Sequence, residues 1–326
     1  EPMQALSFPS YGHVEIIELP RPALRDPGDA IVLVTTAAIG PWDVEHFLGV
    51  GGDSVVPGGE FAGIVVETGA NVSTLELDDL VANTTCHTGS SGQSDLFGST
   101  ALPGGHAEYV RVPDADTTLT KISASGEERA VLAGGSVGLG VNVATAALAS
   151  SEDGSIAVVG CDPIGMTALI ALKNSGMNDR LLAVEDHAAR NTLASGFASN
   201  TLTSSQIRPE NPKNKVDTVI VGSILEYPGF ESVARLVKSS GSVIFSEPYG
   251  AARVTEQGMV LPRGVVISTA SWPTNEDARK IVTAIQIRRL DLTPLVSHVF
   301  PFDEAQEAYE AASEPGSGVQ KVLLKP

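Results

Sequence analysis

Cysteine is scarce in this chain, with only Cys86 and Cys161 among 326 residues. Two thiols cannot build a disulfide framework, and each falls in a strand-like or turn-like segment, so both read as reduced thiols. Positive charge is short as well: 21 Lys and Arg stand against 39 Asp and Glu, a net charge of −18. Such a balance repels phosphates and anionic membranes, which argues against nucleic acid or a membrane surface as a partner and favours solubility. Long apolar runs are missing too, none reaching the roughly 18 residues of a membrane-spanning helix. No charged-then-apolar leader opens the sequence, Glu1-Pro2 ahead of Met3 reads as an appended pair, and the expectation is a cytoplasmic protein. Repeats and low-complexity tracts are absent, and the length allows two domains with ample core.

The pattern that is present changes character along the chain. Ala30–Val34 and Gly63–Glu67 are β-branched runs closed by Gly and Pro, as in a compact β-rich domain. From about Ser136 the period lengthens. Ser155–Val159 is a continuous apolar run suited to a strand buried on both faces, and Met166–Asn174 reads as a helix with Gly176 just past its end. Leu181–Val184, Thr218–Val221 and Ser242–Phe245 repeat the strand pattern between helix-like segments. Strands alternating with helices predict an α/β fold with a doubly wound parallel sheet.

Between the first such strand and its helix lies Gly160-Cys161-Asp162-Pro163-Ile164-Gly165. A glycine-rich turn here lets backbone amides, Ile164 among them, and a helix N-terminus hold a dinucleotide pyrophosphate. Glu185, just after the next strand, stands at the spacing of an acid that binds the ribose hydroxyls, and it repels a ribose phosphate. NAD(H) is therefore favoured, with NADP(H) left open by Arg190 nearby. Asp162 takes the second glycine position, where a carboxylate meets a dianion unless it turns outward as an N-cap.

Gly58-Gly59-Glu60-Phe61-Ala62-Gly63 resembles the Gly-His-Glu-x-x-Gly of zinc-type alcohol dehydrogenases with the histidine gone. Ala38-Ile39-Gly40-Pro41-Trp42-Asp43 resembles their Gly-Ile-Cys-Gly-Ser/Thr-Asp, and Leu132-Ala133-Gly134-Gly135 falls where the third metal ligand would come. Asp291–Tyr309 and Gly318–Pro326 resemble the C-terminal pattern of the same medium-chain dehydrogenase/reductase superfamily almost position by position. The resemblance implies a β-rich GroES-like catalytic domain over 1–135 and 269–326, a Rossmann coenzyme domain over 136–268, a homodimer and a small-molecule substrate. With Gly40, Gly59 and Gly135 at the ligand positions, it also implies a member without its catalytic zinc, since such a site needs about three donors. The structural zinc lobe is expected to be missing as well, because Cys86 stands alone between positions 86 and 104.

Without a metal, the candidate groups are those around the vacated position. Glu60, lacking the neighbouring cation, is expected to face an apolar pocket and to serve as a general acid, or else to be an anchored structural carboxylate. His106, in Gly-Gly-His-Ala-Glu-Tyr-Val where the family has Phe in its substrate pocket, is a donor candidate or a packed polar residue. Trp42 is expected to wall the pocket and fill the space left by zinc, and Asp43 to accept structural hydrogen bonds. The implied activity is zinc-independent, nicotinamide-dependent reduction of an activated C=C, C=N or C=O. A non-redox lyase or cyclase, or a silent binding protein, stays open.

Overall fold

The computed structural model describes residues 2–49, 56–84, 86–88, 94–124, 127–150, 154–208, 210–222, 231–246, 258–314 and 318–326. The chain divides into two compact units, one of Glu1–Gly135, Pro273–Glu314 and Val319–Pro326, the other of Ser136–Trp272 with Pro315–Gly318.

The first unit is β-rich, as its alternation and punctuation predict. Its main sheet runs in the order Val296–Pro301, Lys321–Lys325, Ala30–Ala38, Glu60–Thr68, Leu80–Asn83 and Leu119–Lys121, with Tyr109–Val112 also paired to Ala30–Ala38. All neighbours are antiparallel except the first pair. The C-terminal strand thus lies directly against an early one, with Leu323 opposite Ala38. Beneath the sheet, Val32, Val34, Phe61, Val65, Val81 and Leu324 form one core with Tyr309 from the helix Ala305–Ser313. An outlying hairpin pairs Pro2–Ser10 with His13–Pro20, and Pro2 lies opposite Pro20. Pro2 is therefore a paired strand residue. Proline is tolerated there because the first residue of a strand need not donate to the ladder.

The second unit is a six-stranded, all-parallel sheet in the order Asn200–Leu202, Leu181–Val184, Ile156–Val159, Val216–Val221, Val237–Phe245 and Val266–Thr269. Ile156–Val159 and Leu181–Val184 are buried at every position, which is why they read as continuous apolar runs with no alternation. Numbered within the sheet, this is the 3-2-1-4-5-6 order of a dinucleotide-binding fold, whose ligand crevice opens at the carboxyl ends beside the first strand. Helix Pro163–Asn174 follows that strand and packs against helix Ser136–Ser150. Gly176, with φ +92°, terminates it as expected.

One boundary needs correction. A division at 268/269 would cut through the sixth strand, Val266–Thr269, and the compact units part instead between Trp272 and Pro273.

The turn after the first strand tolerates no side chain at its last glycine, because a Cβ on Gly165 would collide with the carbonyl oxygen of Gly160. Gly165→Ala is expected to force strand and helix apart and to lower the stability of the second unit by about 1 to 3 kcal/mol, the usual cost of overpacking. Thermal denaturation followed by circular dichroism measures it; an unchanged melting temperature would show that the turn has slack.

Candidate functional site

Two sites emerge, one in each unit. In the first, Glu60 opens its strand opposite Ala38 and is buried with its Oε2 2.9 Å from the Nζ of Lys321, itself buried on the C-terminal strand. Lys321 Nζ also donates to the carbonyl of Ile39 at 2.8 Å. The expectation of a carboxyl alone against apolar walls is thus corrected, since its partner is an ammonium group. Nothing near Glu60 in sequence announces that partner, which comes from the first residue of the strand Lys321–Lys325.

Two of the glycines at the metal-ligand positions, Gly40 and Gly135, lie against this carboxyl. A Cβ on Gly135 would collide with the Glu60 carboxyl, and one on Gly40 would lie 3.8 Å from its Oε1. Glu60 therefore occupies the room a third ligand would need, and it, not the Trp42 ring, lies against Gly40 and Gly135. The ligand positions of zinc-type members do not fit a zinc ion here: Gly40, Gly59 and Gly135 bring no side-chain donor atom. Among the described residues, no group of three His, Cys, Asp or Glu is placed to hold a metal. The Cys86 side chain lies outside the described residues.

Asp43 is buried on the short helix Pro41–Phe47 and accepts from the amides of Gly40 at 2.9 Å and Gly58 at 2.8 Å. It acts as a staple between the two loops that flank Glu60, with both carboxylate oxygens engaged by backbone amides. Trp42, half-buried on the same helix, lines a cavity of about 130 Å³ together with Asp43, His46, Glu60, Leu96 and Phe97.

His106 does not face that cavity. It is fully buried, its Nδ1 lies 2.7 Å from the Tyr309 hydroxyl and its Nε2 3.3 Å from the Ala38 carbonyl oxygen. A carbonyl only accepts, so Nε2 carries the proton and Nδ1 accepts from Tyr309. Both nitrogens are engaged, which corrects the expectation of a proton donor to substrate. Burial pushes its pKa below the ordinary 6.5, partly opposed by the charge of Asp43 and the Ala38 hydrogen bond. Burial likewise pushes the Tyr309 hydroxyl well up. The imidazole is a neutral packing element, edge-on to Tyr309 with centroids 5.8 Å apart.

In the second unit, Gly160, Glu185 and Gly222 follow three adjacent strands at their carboxyl ends. Asp162 is the N-cap of helix Pro163–Asn174, its Oδ1 accepting from the Gly165 amide at 2.8 Å. It caps, but it does not turn outward. The carboxylate is buried, and a Cβ on Gly222 would come within 2.8 Å of it. Glu185 is buried as well, its Oε2 accepting from the Cys161 amide at 2.7 Å and its Oε1 from the His187 amide at 2.8 Å. The acid expected to reach for a ribose thus also holds the glycine-rich turn in place. Arg190, on helix Ala188–Ala194, is buried close enough for its charge to act on Cys161. The Cys161 thiol is pushed well up by burial and by Glu185 and Asp162, which makes it an inert thiol.

The depressed His106 pKa has a definite sign in stability. The unfolded chain takes up the imidazole proton near pH 6.5 while the folded one resists it, so the stabilisation is whole above pH 6.5 and is lost as pH falls toward the folded pKa. His106→Phe is expected to remove that part of the acid sensitivity. It also orphans the Tyr309 hydroxyl, at a cost of about 1 to 3 kcal/mol at pH 7.5, part of which Tyr309→Phe in the same chain should restore. Urea unfolding of the three variants at pH 7.5 and 5.5 checks this. Equal pH dependence in wild type and His106→Phe would refute the neutral, buried imidazole.

Comparison with known proteins agrees with this architecture. Residues 26–124 match the alcohol dehydrogenase GroES-like domain family. The chain is 27% identical to zinc-type alcohol dehydrogenase B of Aspergillus flavus over an alignment that takes in 99% of this chain and 81% of that one. Among solved structures it is similar to an alcohol dehydrogenase of Thermus sp. ATN1, with TM-score 0.80, 22% identity and 99% of each chain covered. It is also similar to an alcohol dehydrogenase of Escherichia coli CFT073 solved with NADH, with TM-score 0.82 and 20% identity over 100% of this chain and 99% of that one. At such identities the solved structures speak for the fold. Residues 26–124 thus carry an alcohol dehydrogenase GroES-like domain, and along nearly its whole length, GroES-like unit and doubly wound unit together, the chain is similar to alcohol dehydrogenases.

Proposed function

We propose that the protein is a zinc-independent, nicotinamide-dependent oxidoreductase that reduces an activated C=C, C=N or C=O of a small organic substrate of specialised metabolism. The reading includes a cytoplasmic homodimer. The observation that carries it is the meeting of the Gly160–Gly165 turn with Glu185 at the carboxyl ends of adjacent strands, the Cys161 amide 2.7 Å from the Glu185 carboxylate. The residues fit a dinucleotide. Ile164, at the second helical position, has an amide that the helix cannot pair internally and that is suited to a phosphate oxygen. Each Glu185 oxygen keeps a second lone pair for a ribose hydroxyl. A bound nicotinamide supplies the hydride; the chain supplies position, with Trp42 and Phe97 as pocket walls and Glu60 fixed by Lys321.

Asp162 opposes this fit, because its buried carboxylate sits at the helix start where a pyrophosphate approaches. It favours a second reading, a non-redox lyase or cyclase with Glu60 as acid or base.

Fluorescence titration with NADH and NADPH separates the two. NADH is expected to bind tighter than NADPH, and Glu185→Ser to bring the two toward parity by roughly tenfold, since the repulsive acid is the proposed cause. Asp162→Gly is expected to tighten NADH by about tenfold, or about 1.4 kcal/mol, while losing only a few tenths of a kcal/mol of helix capping. Tighter binding of NADPH by the wild type would remove Glu185 from its role.

Elemental analysis is expected to find no stoichiometric zinc, and chelation to leave turnover intact. One tightly held zinc per chain with chelator-sensitive turnover would overturn the metal-free reading. Single-turnover reactions with C4-deuterated NADH are expected to deliver deuterium to product; product formed without it would favour the non-redox reading.

A further inference from the structure

We propose that the cavity at Glu60 selects a positively charged planar nitrogen, an iminium ion, over a neutral carbonyl compound. The inference deepens the oxidoreductase reading and rests on it for the chemical step.

The first observation is the sign of the charge. Where zinc-type members of the family carry a cation, this cavity is bounded by the carboxyl-bearing residues Asp43 and Glu60, and among the described residues no lysine or arginine lines it. The Lys321 ammonium lies behind Glu60, held by the Ile39 carbonyl, and does not line the cavity. Among the described residues His46 is the one basic group on the wall, and His106 is buried away from it as a neutral ring. A low-dielectric pocket with carboxylate walls attracts a cation and disfavours the alkoxide that develops when a carbonyl is reduced.

The second observation concerns protons. Reduction of a carbonyl consumes a proton as well as a hydride. An ion-paired carboxylate is an acceptor only, and both His106 nitrogens are engaged, so neither earlier candidate acid supplies it. An iminium ion needs none. A hydride adds to its carbon, the π pair of the C=N bond moves onto nitrogen, and a neutral amine leaves together with the oxidised nicotinamide. The carboxylates therefore act by selecting the ligand, which is electrophilic enough by itself.

The third observation is the shape of the walls. At about 130 Å³ the cavity admits only the reacting end of a molecule, between Trp42 and Phe97. Phe97 is held edge-to-face on Phe61 with centroids 5.1 Å apart, which fixes the ring it presents. Aromatic walls attract a delocalised cation more than a neutral group of the same size.

The test compares N-methyl-3,4-dihydroisoquinolinium, a permanent iminium cation, with the neutral ketone α-tetralone of similar shape, by isothermal titration calorimetry with no cofactor present. The cation is expected to bind at least tenfold tighter to the wild type. Glu60→Gln should cut the difference several-fold, and so should Glu60→Gln combined with Lys321→Met, which keeps the buried site neutral should the single variant not fold. Trp42→Leu should weaken the cation about fivefold and the ketone less. Equal affinities in the wild type, or a tenfold preference that survives in the folded double variant, would overturn the proposal. NADH is titrated separately. A cation preference in a protein that binds no NADH and transfers no hydride would sustain the charged pocket while refuting the oxidoreductase reading.

Discussion

The buried pair of Lys321 and Glu60 is the constraint around which the first unit is arranged. Withdrawing two charges from water is costly, and an ion pair recovers that cost only with good geometry and further hydrogen bonds. Here the ammonium has both the Glu60 carboxylate at 2.9 Å and the Ile39 carbonyl at 2.8 Å. Satisfying it fixes the C-terminal strand, the start of the strand Glu60–Thr68 and the loop after Ala38 at one point. The glycines at positions 40 and 135 follow from the same requirement, since a side chain at Gly135 and the Glu60 carboxyl cannot share one volume. The vacated ligand positions are thus also the clearance that a buried carboxylate needs.

A second polar cluster beside this pair contributes rigidity without free valences. Asp43 binds two loop amides, and His106 links Tyr309 to the Ala38 carbonyl. Tyr309 in turn packs on Phe47 and Phe8 with ring centroids 5.2 and 5.0 Å apart. Fully paired polar networks of this kind favour one arrangement of a core over its near alternatives, because each slipped packing leaves a donor or acceptor unmet. Among the described residues, the side-chain chemistry lining the cavity is correspondingly sparse: two carboxyl groups, two aromatic rings, one imidazole and the Ser99 hydroxyl.

Much of the fold was legible because burial on both faces writes itself directly into composition. Leu181–Val184 spans the same four residues as pattern and as strand, and the glycine-rich turn was marked by its own residues. The stretch near 268 carries little signal in the sequence because Val266–Thr269 is an edge strand exposed at all four positions, with neither an unbroken apolar run nor an alternation to mark it. Short-range reasoning also failed at the site. Glu60 and Lys321 lie at opposite ends of the sequence, and no local pattern reports a partner that only sheet topology brings near. His106 stood in a family pocket position, yet its direction was decided by a helix from the C-terminal part of the chain, where Tyr309 offers a hydroxyl. Asp162 was readable as a cap from its place before Pro163; its burial against Gly222 was not, because that contact depends on the neighbouring strand.

The discontinuous first unit carries a consequence for biosynthesis. A ribosome delivers the second unit almost entirely in one uninterrupted stretch, Ser136–Trp272, so that it can close while the rest of the chain is still being made. The first unit has no such freedom. Its strand Ala30–Ala38 waits for Lys321–Lys325, and until those residues emerge the Glu60 carboxylate has no ammonium to meet. Closure of the first unit therefore waits on its last strand, and loss of Lys321–Lys325 strikes the earliest-made part of that unit hardest.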